Sequence, residues 1–190
     1  PNLALHTWQN DPLDMHLPEL KAGTDGVSIE EGRHWSVKQS YQIAVLTDFC
    51  NECGNCTTFC PTSGEPYRDK PRLYLDRAEF EAQKDNAFMV FQEKDTWAMD
   101  ARWQGETHRI ELNDGLDYKG PLFSARLDTK SFEPAQLVVG GVTGDGSALS
   151  LEPAATMYVL LNGLTKSLPF LPTALAAECS ADGKIPHPDY

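Results

Sequence analysis

Cys50, Cys53, Cys56 and Cys60 stand as Cys-x2-Cys-x2-Cys-x3-Cys, with Pro61 directly after. Four thiols within eleven residues confine that stretch to a tight loop wrapped around whatever they bind. The spacing is that of bacterial ferredoxins, whose thiolates hold an iron–sulfur cubane. Two-residue gaps let successive sulfurs point at one cluster while backbone N–H groups turn toward its sulfides. Gly54 suits the turn this requires, and Phe49 and Phe59 flank the run as candidate shields against water, a factor that sets cluster potential.

Counting ligands complicates the assignment. In two-cluster ferredoxins the fourth cysteine of such a run ligates the other cluster. By that rule Cys50, Cys53 and Cys56 bind one [4Fe-4S] cluster and Cys60 points to a second, for which this chain has no second run. Three resolutions stay open: Cys179 closes the first cubane, Cys60 folds back onto it, or complementary cysteines lie in further sequence or a partner chain. Cys179 sits in a Pro- and Gly-flanked stretch before Ser180, where a lone thiol is more often incidental than a ligand. Four clustered thiolates also satisfy tetrahedral zinc. Zinc hooks usually come in two pairs separated by an intervening stretch, whereas this run is continuous and ends in Cys-Pro.

The remaining sequence is read around that run. Its 190 residues, 41% of them hydrophobic, suffice for one ordinary domain or for a cluster module with a second small domain. Thirteen prolines and fourteen glycines favour short elements and many turns. A net charge of −12 without a basic patch argues against nucleic acid as partner and favours electrostatically steered protein partners. No apolar run is long enough for a membrane span, and no secretory leader pattern opens the chain, so the expected address is the cytoplasm. An odd count of five cysteines, four of them closely grouped, speaks against a disulfide framework. Pro1 in place of Met suggests a piece of something larger.

Residues 1–47 read as an extended arm with lead-in strands, since alternation at Trp35, Val37, Tyr41, Ile43 and Val45 has the strand period. Residues 48–86 form the iron–sulfur segment, closing on a short helix with Asp76 as N-cap. Residues 87–166 read as a small antiparallel sheet lobe of about five strands, with a helix from Glu152 whose Met157, Leu160, Leu161 and Leu164 follow the i, i+3, i+4, i+7 pattern. Residues 167–190 read as tail. The expected fold class is thus α+β: a ferredoxin-like iron–sulfur segment joined to a small antiparallel sheet lobe with a C-terminal helix.

Residues 48–70 carry a more specific likeness: Cys-Asn-Glu-Cys-Gly-Asn-Cys over 50–56, then Phe59-Cys60-Pro61, Gly64, Pro66-Tyr67 and Asp69-Lys70. This resembles the C-terminal iron–sulfur part of the selenate reductase-like family, large flavin and iron–sulfur oxidoreductases related to the glutamate synthase small subunit. The resemblance implies electron transfer between a reduced nicotinamide, flavin and clusters. It carries over only the cluster-ligand role, to Cys50, Cys53, Cys56 and Cys60. The family's upstream cysteine run and its dinucleotide-binding glycines have no counterpart in residues 1–49.

Other motifs have blander readings. Gly140-Gly-Val-Thr-Gly-Asp-Gly146 lacks the Lys-Ser/Thr of a phosphate loop and reads as a turn. The histidines His6, His16, His34, His108 and His187 show no metal spacing along the chain. Trp97 and Trp103 read as core, and Arg68, Lys70 and Arg72 as partners of nearby carboxylates. The sequence therefore points to a non-catalytic electron-transfer component within a larger oxidoreductase. Its expected partners are flavin- or molybdenum-containing redox subunits in a hetero-oligomer. The alternative is an assembly subunit whose iron–sulfur or zinc site braces an interaction lobe.

Overall fold

The computed structural model describes residues 4–23, 26–59, 64–140 and 147–167. Four strands come first: β1 (Leu5–Gln9), β2 (Leu13–Gly23), β3 (Gly26–Val37) and β4 (Tyr41–Leu46). A 3-10 turn at Thr47–Phe49 opens the cysteine segment, which holds α1 (Asn55–Phe59) and α2 (Pro66–Asp69). The two-residue β5 (Arg72–Leu73) and α3 (Arg77–Glu81) follow. Then β6 (Ala87–Glu93), β7 (Thr96–Trp103), β8 (Glu106–Leu112), β9 (Leu116–Lys119), β10 (Phe123–Leu127) and β11 (Pro134–Val139) run as a meander. β12 (Ser147–Ser150) and α4 (Glu152–Ser167) complete the described elements.

The meander reads directly from its turns. Lys94 and Asp95, with φ of 48° and 69°, join β6 to β7, and Gln104 and Gly105, at 51° and 85°, join β7 to β8. Two successive left-handed residues match the right-handed twist of a two-residue hairpin. At the next corner the Asn113 N–H bonds the Gly115 carbonyl at 3.0 Å, closing β8 onto β9.

The α+β expectation is corrected here. The described chain is dominated by strands: a nine-stranded mixed sheet in the order β1-β4-β5-β6-β7-β8-β9-β10-β11, and a three-stranded sheet β12-β2-β3. The expected small antiparallel lobe is one flank of the large sheet. No separate ferredoxin-like module stands among the described residues; the cysteine segment is the connection between the parallel neighbours β4 and β5. The cause is long-range pairing. Val45 pairs Arg72 and Arg72 pairs Ala87 in parallel ladders, while β1 closes the edge through His6 opposite Ala44. A two-residue strand is too short to carry any periodicity, so sequence alone cannot see that β5 joins the two halves.

One core holds these layers together. Leu17, Leu20 and Leu149 of the small sheet, Phe88, Val90, Met99 and Ile110 of the large sheet, and Met157, Leu161 and Leu164 of α4 form one buried cluster. β6 is covered on its other face by Tyr74 and Phe80 packing on Ala87 and Met89. This explains its nearly unbroken apolar run, as in strands buried on both sides. Trp8 of β1 lies against Gly163 of α4, where an added methyl group would overlap the indole. Asp76 caps α3 as expected, accepting the Glu79 N–H at 2.8 Å. Among the described residues no helix is long and apolar enough to cross a membrane.

Candidate metal centre

The cysteine segment starts where β4 ends and is fastened at both ends. Thr47 Oγ1 donates to the Leu73 carbonyl at 2.8 Å, and Asp48 Oδ2 accepts the Leu75 N–H at 3.2 Å. Both bonds tie the entry of the loop to β5 and its exit. On the far side Asn86 donates from Nδ2 to the carbonyls of Arg68 and Lys70, at 2.8 and 2.9 Å, holding the end of α2 beside β6. The loop is thus suspended between two points of a rigid sheet, an arrangement that fixes side chains better than a free loop does.

Within the loop the Cys50 N–H bonds the Thr47 carbonyl at 2.9 Å and the Thr57 N–H bonds the Gly54 carbonyl at 3.0 Å. Glu52 and Gly54 take left-handed conformations, φ 50° and 75°, so the chain turns back on itself between successive cysteines. For glycine this is unstrained; for Glu52 it is an uncommon backbone state. Arg72 Nη2 stands 3.6 Å from Glu52 Oε1 and its guanidinium lies 5.4 Å from the Tyr74 ring centroid. Burial, moderated by Arg72, pushes the Tyr74 phenol above its ordinary pKa, so it stays a neutral neighbour of that cation.

Cys50, Cys53 and Cys56 all line one cavity of about 610 Å³, walled by Leu5, Phe49, Phe59 and Tyr67 among others. Cys50 and Cys56 are half-buried and Cys53 is exposed. That volume lies in the range of ordinary ligand sites, and its soft donors and apolar walls suit a cubane in composition. The three thiols share the cavity without forming a preassembled ligand set: among the described residues no three Cys, His, Asp or Glu side chains are grouped closely enough to hold a metal ion. Phe49 and Phe59 remain 51% and 84% exposed, so the mouth is apolar and open. Cys60 and Cys179, both candidate ligands, lie outside the described residues, as do residues 141–146 of the glycine-rich stretch and His187.

Arg68 and Arg72 take the carboxylate partners expected of them, and Trp97, Trp103 and His108 lie in or against the core. Arg68 pairs with Glu65 at 2.9 Å, and Arg126 grips Asp117 through two bonds of 2.8 Å. That grip, with Asn113, holds the Asp117 carboxyl below its usual pKa. Trp97 and Trp103 pack against the main core. His108 is buried and bonds the Tyr118 hydroxyl through Nδ1 at 2.8 Å; burial lowers its pKa and raises that of Tyr118. The anchoring roles of Thr47, Asp48 and Asn86 escape sequence reading because each depends on a partner brought near by sheet pairing. Strand pairing also sets His16 opposite His34, a proximity invisible in their separation along the chain.

Comparison with known proteins adds a partial likeness. The chain is 31% identical over 83 residues to "Putative oxidoreductase YgfK" of Escherichia coli O157:H7, a match covering 39% of this chain and 8% of that protein. The protein of the same name from Escherichia coli strain K12 matches to the same extent. The chain therefore spans less than a tenth of the length of the curated relatives it matches. No protein-family model matches it, and no solved structure matches it significantly.

Proposed function

We propose that the chain is an iron–sulfur electron-transfer segment of a larger oxidoreductase. Cys50, Cys53, Cys56 and Cys60 supply thiolates to a [4Fe-4S] cluster. A redox-related role agrees at a coarse level with the name of the partly similar proteins. The observation that carries the finer reading is the placement of three ferredoxin-spaced thiols on one apolar-walled cavity, in a loop pinned to the sheet at both ends. The bound cluster would supply single-electron storage; the chain's own residues position it and limit water. Phe49, Phe59 and Tyr67 supply apolar walls, while Arg72 lies beside the left-handed Glu52 and adds a positive charge near the loop. The ligand count leaves room for Cys60 to reach a second cluster or a partner, in keeping with a flavin- or molybdenum-containing redox subunit in a hetero-oligomer.

Purification without oxygen, followed by iron, acid-labile sulfide and zinc analysis and by electron paramagnetic resonance after reduction, tests this. Equal iron and sulfide with a reducible signal is the expected result. Zinc without sulfide would overturn the electron-transfer reading in favour of a bracing metal. Individual Cys→Ser substitutions at positions 50, 53 and 56 are expected to abolish the cubane signal, while Cys179→Ser is expected to leave it intact.

A further inference from the structure

Four strands end the two sheets: β1 and β11 the large one, β12 and β3 the small one. An end strand offers a row of unpaired backbone N–H and C=O groups that another chain can join, and folded proteins shorten, charge or interrupt such edges. β1, β11 and β12 are short, at five, six and four residues, and β11 starts on Pro134. β3 is different. It runs for twelve residues without proline or lysine, and among the described residues only β2 pairs with it. Ile29 in this strand is 54% exposed, although its cross-strand partner Leu20 is fully buried.

The strand keeps a regular edge despite the register shift against β2 between His16 and Pro18. Val27 and Trp35, an even number of residues apart, both pack on the core, so side chains alternate along β3 without a break. The slip is taken up by β2, whose core-facing residues change from Met15 and Leu17 to Leu20 and Ala22. Unbroken alternation restricts how two copies of β3 can meet. Antiparallel partners share a face of the sheet, so a two-fold axis normal to the sheet must pass through one residue, with partners equally spaced on either side.

The charge order of β3 selects that residue. Centred on Glu30, Glu31 or Arg33, the pairing sets a charge against its own copy, and like charges directly opposite are destabilising. Centres farther out shorten the overlap and lose the opposite-charge pairs. Centred on Gly32, the pairing sets Glu31 against Arg33, Glu30 against His34 and Ile29 against Trp35. Opposite charges then meet, the exposed isoleucine gains an aromatic neighbour, and glycine leaves the crossing point free of side chains. Arg33 already pairs with Glu152 yet stays 64% exposed, and a guanidinium has donors for a second carboxylate. We propose that β3 is a self-association edge: two copies of this chain join β3 to β3, antiparallel about Gly32, fusing their small sheets into one. The contact involves the small sheet, whereas the cysteine loop joins strands of the large one.

Sedimentation equilibrium of the intact chain over a concentration series tests this. The mass is expected to rise from 21.1 kDa to twice that value, and less readily in high salt, which screens exposed charges. I29K places a charge within the shared edge and should hold the chain at one copy with unchanged circular dichroism. E31R sets cations against Arg33, and R33E sets anions against Glu31, so each variant alone should stay single. Mixed together, the two variants offer opposite charges on both sides of Gly32 and should form a pair of unlike chains. A parent that stays single at every concentration, leaving the edge to a strand of another protein, overturns the proposal. So does a dimer unmoved by I29K, or a mixture of E31R and R33E that stays unassociated while both keep the parent's circular dichroism. If either charge variant fails to fold, the I29K result decides alone.

Discussion

Replacing Tyr118 by Phe removes one hydroxyl from the buried side of the meander and leaves the rest of the ring in place. The phenol bonds His108 Nδ1 at 2.8 Å, and the two residues are only 3% and 6% exposed. The ring packs on Phe123 in a tilted contact, 5.1 Å between centroids, that phenylalanine keeps. The variant therefore isolates the hydrogen bond. It strands a buried imidazole nitrogen without a partner, and such a group costs about 1–3 kcal/mol. For a chain of this size that corresponds to a fall in melting temperature of roughly 2–4 °C per kcal/mol. The assay is two-state denaturant unfolding at pH 7.5, where the midpoint should fall and the slope stay constant. Substituting both partners by apolar residues, His108→Leu with Tyr118→Phe, removes donor and acceptor together and should cost less than the sum of the single changes. Stability of Tyr118→Phe within about 0.3 kcal/mol of the parent, or a double variant additive in cost, would refute the claim that this pair depends on mutual satisfaction.

His108 also sets a pH dependence. Burial holds its folded pKa below the ordinary value of 6.5, against a smaller opposing pull from Glu106. The unfolded chain therefore binds this proton more readily. The stability it contributes is complete above about pH 6.5 and declines as pH falls through the folded pKa, a slope that His108→Gln should flatten in unfolding curves between pH 7.5 and 5. Gly163→Ala should destabilise by about 1–3 kcal/mol through overlap with Trp8, read as a lowered unfolding midpoint that Trp8→Phe partly restores. Asp100→Asn should cost about 0.5–1 kcal/mol. Asp100 takes Arg77 at 2.6 Å and Arg109 at 3.6 Å, but both arginines are partly exposed, so high salt should shrink the difference in denaturant titrations. Thr47→Ala removes the bond to the Leu73 carbonyl; with the proposed cluster bound, its expected readout is faster loss of iron from the anaerobically purified chain, with little change in global stability.

Local patterns were legible where local forces decide. The α4 helix showed in Met157, Leu160, Leu161 and Leu164, all buried, and Asp76 was readable as a cap because a side chain three residues from its N–H partner needs no distant help. In β8 the buried His108 and Ile110 follow the strand period, whereas β6, buried on both faces, does not alternate. The arm assigned to the first residues instead supplies β1 and β2. Their pairing with β4, β3 and β12 gives them an interior that no short window of sequence reveals. The glycine Gly163 and the distant Trp8 illustrate the same point: neither means anything until α4 crosses β1.

For the candidate site, sequence by itself determined the chemistry: four soft thiols, their spacing, and the glycine that lets the loop turn. Only tertiary structure decided where that chemistry sits. The loop is the connection between two parallel strands, fastened by Thr47, Asp48 and Asn86 to β5 and β6, rather than a module of its own. The physical reason is that ligand type and spacing are covalent properties of a short segment. The walls, the anchoring bonds and the meeting of His16 with His34 all arise from strands pairing across long stretches of chain, where pairing depends on burying a common core.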